Sequence, residues 1–173
     1  MLTSAHCAEL DVDKFTIEIG EFPPIISTST KAVVHPEWNT FSLTNDIAII
    51  ELDEPLEFNE VVQPICLPTT NKYEGKNLMV SGLDGYDVKY RNTTTASTQL
   101  CQDFWGINEG VICGEENCDC HFRGDILALP GESTFQQVGI LSYSSGCATG
   151  TTVIYTEVFY HLDWISSVTG LFK

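Results

Sequence analysis

Basic residues are scarce in this chain of 173 residues: 8 Lys+Arg stand against 24 Asp+Glu, for a formal net charge of −16. Affinity for a phosphate backbone comes from Lys and Arg neutralising phosphates, so eight scattered cations exclude nucleic acid as a partner. Anionic membranes are disfavoured for the same reason, and basic proteins are the favoured partners. No uninterrupted apolar run reaches the roughly 18 residues of a transmembrane helix. The amino terminus, Met1-Leu2-Thr3-Ser4-Ala5-His6-Cys7, lacks the basic region and apolar stretch of a secretory signal. There is no internal repeat, long linker or low-complexity tract beyond Asn92-Thr93-Thr94-Thr95.

What is present suits one globular domain. Hydrophobic residues make up 43% of the chain and aromatics 10%, and mean hydropathy is near zero. That is enough apolar material for a core beneath a strongly acidic surface. The length matches an ordinary domain, or falls slightly short of a large β-barrel, which runs to roughly 200–250 residues. Seven cysteines in so short a chain suggest a disulfide framework from an oxidising compartment, or a metal site, and an odd count leaves at least one thiol over. A secreted-looking cysteine pattern without an export signal leads to the expectation that Met1 is not the true start of the parent protein.

Short β-branched or alternating runs dominate: Phe15-Thr16-Ile17-Glu18-Ile19, Ala32-Val33-Val34, Ile47-Ala48-Ile49-Ile50, Leu78-Met79-Val80, Val138-Gly139-Ile140-Leu141 and Val153-Ile154-Tyr155-Thr156. They read as strands. Glu21-Phe22-Pro23-Pro24, His35-Pro36, Gly82-Leu83-Asp84-Gly85 and Pro130-Gly131 read as turns and loops. Helical spacing is clear only at the end, where Val158, Leu162, Ile165 and Val168 share a face of a segment ending near Gly170. The expectation is an all-β fold with a C-terminal helix. Asn92-Thr93-Thr94 forms a glycosylation sequon, usable at Asn92 if the chain is exported.

Four segments, in order, resemble the trypsin-like (chymotrypsin-fold) serine protease family. Leu2-Thr3-Ser4-Ala5-His6-Cys7 is similar to the segment around the catalytic histidine, and Asn45-Asp46-Ile47-Ala48-Ile49-Ile50-Glu51-Leu52 to that of the catalytic aspartate. Val62-Gln63-Pro64-Ile65-Cys66-Leu67-Pro68 resembles the linker between the two barrels. Val138 through Cys147, then Ile154-Tyr155-Thr156 and Leu162-Asp163-Trp164-Ile165, resemble the last strands and closing helix. The resemblance implies two antiparallel six-stranded barrels within one trypsin-like domain spanning 1–173. Residues 1–67 are then an incomplete first barrel, and 68–173 the second barrel and C-terminal helix. Only five residues precede His6, so the resemblance leads to the expectation that the family's activation peptide and first strands lie outside this sequence, leaving an open edge with exposed apolar surface.

The family's chemistry is nucleophilic acyl transfer. A histidine takes a proton from a serine hydroxyl, a buried aspartate fixes the histidine's tautomer, and backbone N–H groups hold the oxyanion. By resemblance, His6 and Asp46 fill the first two roles. His35 is expected to be structural and His161 solvated on the polar side of the last helix. The nucleophile is missing. The family's Gly-Asp-Ser-Gly-Gly-Pro run is replaced by Cys113-Gly114-Glu115-Glu116-Asn117-Cys118-Asp119-Cys120-His121-Phe122-Arg123-Gly124-Asp125-Ile126-Leu127-Ala128. With Cys118 as the family cysteine, Phe122 occupies the nucleophile position; with Gly124-Asp125 as a remnant of Gly-Asp, Ile126 does. The first register is preferred because it puts Ala128 and Leu78 where many members carry a disulfide pair, so both partners are lost together. Ser133 is too close to Ser142 to substitute. The substrate-binding strand reads Ser142-Tyr143-Ser144 in place of Ser-Trp-Gly, and Val153 replaces a pocket-wall glycine, its side chain expected to project into the specificity pocket.

The resemblance also implies disulfides Cys101–Cys113 and Cys118–Cys147, with Cys120 an alternative partner for Cys147. Cys7 and Cys66 resemble cysteines whose partners precede the chain. Cys113, Cys118, Cys120 and His121 could instead ligate zinc, but Cys-x-Cys-His is short for a structural site and no second Cys-x₂-Cys knuckle accompanies it, so no metal or cofactor is expected. The functional expectation is an extracellular, proteolytically inactive homologue that binds protein partners, including proteases or their zymogens. The alternatives are an active serine-type endopeptidase whose nucleophile segment is misread, and a degenerate remnant.

Overall fold

The computed structural model describes residues 1–10, 12–20, 23–84, 87–107, 109–115, 125–144 and 152–171. The amino-terminal part contains β1 (Leu2–Thr3), α1 (Ala5–Ala8), β2 (Phe15–Ile19), β3 (Ile25–Ser29), β4 (Lys31–Val34) and β5 (Ala48–Glu51). It forms a three-stranded sheet of order β1-β5-β4 and a separate β2-β3 pair. β5 is central, with Leu2 opposite Ile49 on one side and Val33 opposite Ile49 on the other. A strand enclosed on both edges and faces suits the unbroken run Ala48-Ile49-Ile50, all buried. The β2-β3 pair leaves Ile25 and Ile26 exposed.

The rest of the chain builds one six-stranded antiparallel sheet from β6 (Asn77–Asp84), β7 (Asp87–Thr94), β8 (Val111–Glu115), β9 (Ile126–Pro130), β10 (Phe135–Ser144) and β11 (Thr152–Glu157). Its order is β7-β6-β9-β10-β11-β8. The two outer edges meet at a bridge between Thr95 and Gly114, reinforced by Ala96 N–H donating to the Cys113 carbonyl at 2.8 Å. The concave side collects Leu78, Val80, Ile112, Leu127, Val138, Leu141, Val153 and Tyr155 into one core. Each such side chain contributes about 1.5–3 kcal/mol by leaving water. Gly139 lets β10 pack tightly, because a Cβ there would lie 3.0 Å from Tyr155 Cβ and 3.1 Å from Leu127 Cδ2.

α2 (Thr98–Trp105) leans on β8, and a 3-10 turn (Phe159–His161) leads into α3 (Leu162–Thr169). α3 stops at Gly170, whose φ of 73° is the left-handed cap that glycine adopts without strain. Ile47, Ile140, Val158 and Ile165, with Leu2, Leu67, Leu162 and Trp164 against them, form a second core that locks the amino-terminal strands to β10 and α3.

Three local expectations change. β6 continues through Gly82, Leu83 and Asp84, read above as a turn, because the hairpin pairing extends to Asp84 opposite Asp87. Val168 lies in the last turn of α3 and is exposed, whereas Val158, Leu162 and Ile165 face the core. His161 is buried, not solvated. It belongs to the 3-10 turn, whose three-residue period rotates it off its α-helical position.

Candidate active site

α1 carries His6 and opens with Ser4 as its N-cap, whose Oγ accepts from the Cys7 N–H at 3.4 Å. The ring-bearing residue is half-buried. Asp46 lies just before β5 and is 1% exposed. Its neighbour Asn45 has φ of 57°, a left-handed conformation that asparagine tolerates better than most residues. The Asn45 side chain holds that turn from both ends: Nδ2 donates to the Glu37 carbonyl at 3.1 Å, and Oδ1 lies 3.0 Å from His161 Nε2.

Thus aimed, the Asp46 carboxylate gathers two distant segments. Oδ1 accepts the backbone N–H of His6 at 2.9 Å, and Oδ2 accepts the Ser142 hydroxyl at 2.6 Å. The Asp46 carbonyl accepts from Thr156 Oγ1 at 2.9 Å. Charge-assisted hydrogen bonds of this kind are about twice as strong as neutral ones. They pin the His6 segment, the start of β5, β10 and β11 around one buried carboxylate. Ser142 donates its hydroxyl hydrogen bond to Asp46, which places it as a positioning group for the carboxylate.

The expected substrate-strand and pocket residues stay together on β10 and β11, whereas Ser133 and Asn92 lie elsewhere. Tyr143 stacks edge-on against Trp105 with centroids 4.9 Å apart, and Trp105 Nε1 donates to Thr152 Oγ1 at 2.6 Å. Ser144 pairs with Val153 in the β10–β11 register. Val153 is 1% exposed within the main core, with Cγ1 2.7 Å from where a Cβ on Gly114 would sit. Ser133 is exposed in the β9–β10 turn. Asn92 is exposed on β7 opposite Met79. Phe122, Cys118, Cys120, His121 and Cys147 lie outside the described residues.

Cys101 and Cys113 are joined by a disulfide across α2 and β8, with Cα atoms 5.7 Å apart, which removes Cys113 from the alternative zinc set. The sheet also withdraws the support from paired loss for the Phe122 register. Ala128 lies opposite Met79, not Leu78. Successive residues on a strand face opposite ways, so Ala128 and Leu78 are one residue out of step. Asn45, Thr156 and His161 were missed as supports of Asp46. Asn45 and Thr156 belong to segments already singled out, but nothing in their local pattern marks which partner they reach.

Burial lowers the pKa of His161, whose Nδ1 lies 2.7 Å from the Glu157 carbonyl, and of His35, which stands edge-on to His161 at 5.4 Å between ring centroids. The two rings buttress the Asn45 turn from behind, with Trp164 4.9 Å from His35.

An antiparallel β architecture with a closing helix, organised around a buried aspartate that grips a histidine segment, defines a chymotrypsin-type protease scaffold. The Trypsin family model matches residues 1–165, and the chain belongs to that family, whose double β-barrel fits the observed sheets. The chain is 28% identical to Trypsin II-P29 of Gallus gallus over 187 residues, covering 95% of this chain and 73% of the relative. It is 27% identical to Chymotrypsin-2 of Vespa crabro, covering 95% and 83%. With Phenoloxidase-activating factor 3 of Holotrichia diomphalia it shares 30% identity, covering 95% and 60%.

Proposed function

We propose that this trypsin-family chain does not hydrolyse peptide bonds and acts outside the cell as a binding or regulatory partner in a protease cascade. The observation that carries this reading is the absence of Gly-Asp-Ser-Gly anywhere in the 173 residues, beside a retained His6–Asp46–Ser142 arrangement. Losing the nucleophile of such a triad costs about 10⁶ in turnover, so His6 and Asp46 alone make no useful protease. With Cys118 taken as the family cysteine, and on that alignment alone, Phe122 is assigned to the nucleophile position; His6 and Asp46 are assigned to the vestigial base and its orienter, and Ser142, Tyr143, Ser144 and Val153 to the former substrate strand and pocket. Residues 1–67 and 68–173 are assigned to the first and second barrels. Cys118–Cys147 is assigned as a second disulfide, and Asn92 as a glycan site on an exported chain. Support for a cascade partner comes from the similarity to Phenoloxidase-activating factor 3, and support for an oxidising compartment from the Cys101–Cys113 disulfide.

A fluorophosphonate probe, which captures activated serines covalently, tests the reading. Intact-mass measurement is expected to find the chain unmodified while an active trypsin in the same tube is labelled. An adduct that disappears in His6→Ala would overturn the reading in favour of an active endopeptidase.

A further inference from the structure

Thr156 and Glu157 are neighbours on β11, so their side chains leave opposite faces of the strand. Thr156 reaches toward Asp46. On the other side Glu157 lines a cavity of about 750 Å³ together with Tyr73, Glu109, Tyr160, Lys72 and Lys76. The two lysines and Glu109 are exposed at its mouth, whereas Glu157 is only 9% exposed. Its main chain is satisfied, the N–H by the Gly110 carbonyl at 2.8 Å and the carbonyl by His161 Nδ1 at 2.7 Å.

The carboxylate itself receives no hydrogen bond among the described residues. The Tyr73 hydroxyl, which shares the cavity lining, is already given to the Thr70 carbonyl. The Glu157 oxygens are not among the side-chain atoms wholly shut off from solvent, so they open onto the cavity, where loss of bulk water still disfavours the bare charge. A donor supplied from outside would remove that cost. The cavity has the size of an ordinary ligand site and exceeds a single side chain, and the overall charge of −16 favours approach by cations.

We infer that this cavity is a binding site for an organic cation, an alkylammonium or guanidinium group such as a lysine or arginine side chain, with Glu157 as its ion-pair partner. An anion would meet three carboxylates, Glu74, Glu109 and Glu157, against the two lysines of the lining. The site lies across β11 from Asp46 and does not rest on the proposed lack of proteolysis, so the two can fail separately. Glu157 must be ionised to act. Burial holds its carboxyl up at about 7, Tyr73 is raised to about 12 by burial and by Glu157 and stays neutral, and His161 behind the strand is lowered.

Calorimetric or NMR titration of the whole chain with N-acetyl-lysine methylamide tests the assignment. At about pH 8 the lysine amide is expected to bind about tenfold or more tightly than its neutral norleucine isostere, and Glu157→Gln to lose about the same factor. Gln is isosteric and removes an uncompensated buried charge, so the variant keeps its fold. Wild-type affinity is expected to fade toward about pH 6, and the residual binding of Glu157→Gln to stay flat, which separates Glu157 from His161 and the rim groups. Butylammonium distinguishes the source: affinity equal to the lysine amide assigns the site to free amines, and weaker affinity assigns it to a side chain presented by a peptide, either of which supports a cation site. Equal binding of norleucine and lysine, unchanged binding in Glu157→Gln, or no binding of the lysine amide up to about 10 mM would overturn it.

Discussion

Asp46 is where a single side chain does most in this molecule, because its carboxylate and carbonyl accept from His6, Ser142 and Thr156 at once. Asp46→Ala leaves a buried hydroxyl and a main-chain N–H without their acceptor, and is expected to cost about 3 kcal/mol or more of unfolding free energy. Ser142→Ala, which only removes one donor from a carboxylate with another partner, should cost about 1–2 kcal/mol. Urea denaturation of both variants and the double variant checks this, and the double is expected to cost less than the sum because one bond is shared. Equal losses for the two single variants would refute the proposed hierarchy. Glu157 predicts a pH effect. Its pKa is raised from near 4.5 to about 7, so between these values the native state holds a proton that the unfolded chain has released. Stability from this group therefore falls as pH rises through that window, and the penalty is fully present above it. His161, lowered from 6.5, contributes the opposite slope below that value. Comparing melting temperatures of wild type and Glu157→Gln across the window isolates the first effect: the variant is expected to be the more stable at high pH and to lose that advantage on acidification.

Elements hold their places here through a few specific ties. α2 touches β8 through Cys101 and Cys113, both almost fully buried, and the bond closes a loop with a sequence separation of 12. Chain-entropy arguments give about 3 kcal/mol for a loop of this size. The Cys101→Ser/Cys113→Ser variant is expected to lose about that much in urea denaturation, with Ile107, Val111 and Ile154 of the same cluster becoming exposed to hydrogen exchange first. A loss under about 1 kcal/mol would mean that packing alone holds α2. Strand existence was readable from short β-branched runs, as at Phe15–Ile19, where sequence and structure coincide. Boundaries were not. The hairpin register carried β6 past Gly82 into Asp84, since pairing with the opposite strand outweighs a local turn preference. The 3-10 turn likewise turns His161 inward, because its three-residue period does not continue the α-helical phase of Leu162–Thr169.

At the scale of the whole molecule, charge is the dominant unspent quantity. The Lys31–Glu51 ion pair at 3.4 Å is exposed on both sides and contributes about 0–1 kcal/mol. The rest of the net −16 repels itself across distances that salt screens. The melting temperature is therefore expected to rise between about 0.01 and 0.15 M NaCl, where the screening length falls from about 30 to about 8 Å; a fall would mean that attractive pairs outweigh the repulsion. The sequence alone settled the family and the loss of Gly-Asp-Ser-Gly, because both are statements about residue identity in order. It also marked His6, Asp46 and Ser142 separately, since each sits in a recognisable segment. Only the tertiary structure decided what Asp46 holds, that His161 is buried behind Asn45, that Ala128 faces Met79, and that Glu157 ends in a cavity without a donor. Those facts join residues some 40 to 116 positions apart, and contacts of that range are set by sheet register and strand facing, which no local pattern of side chains encodes.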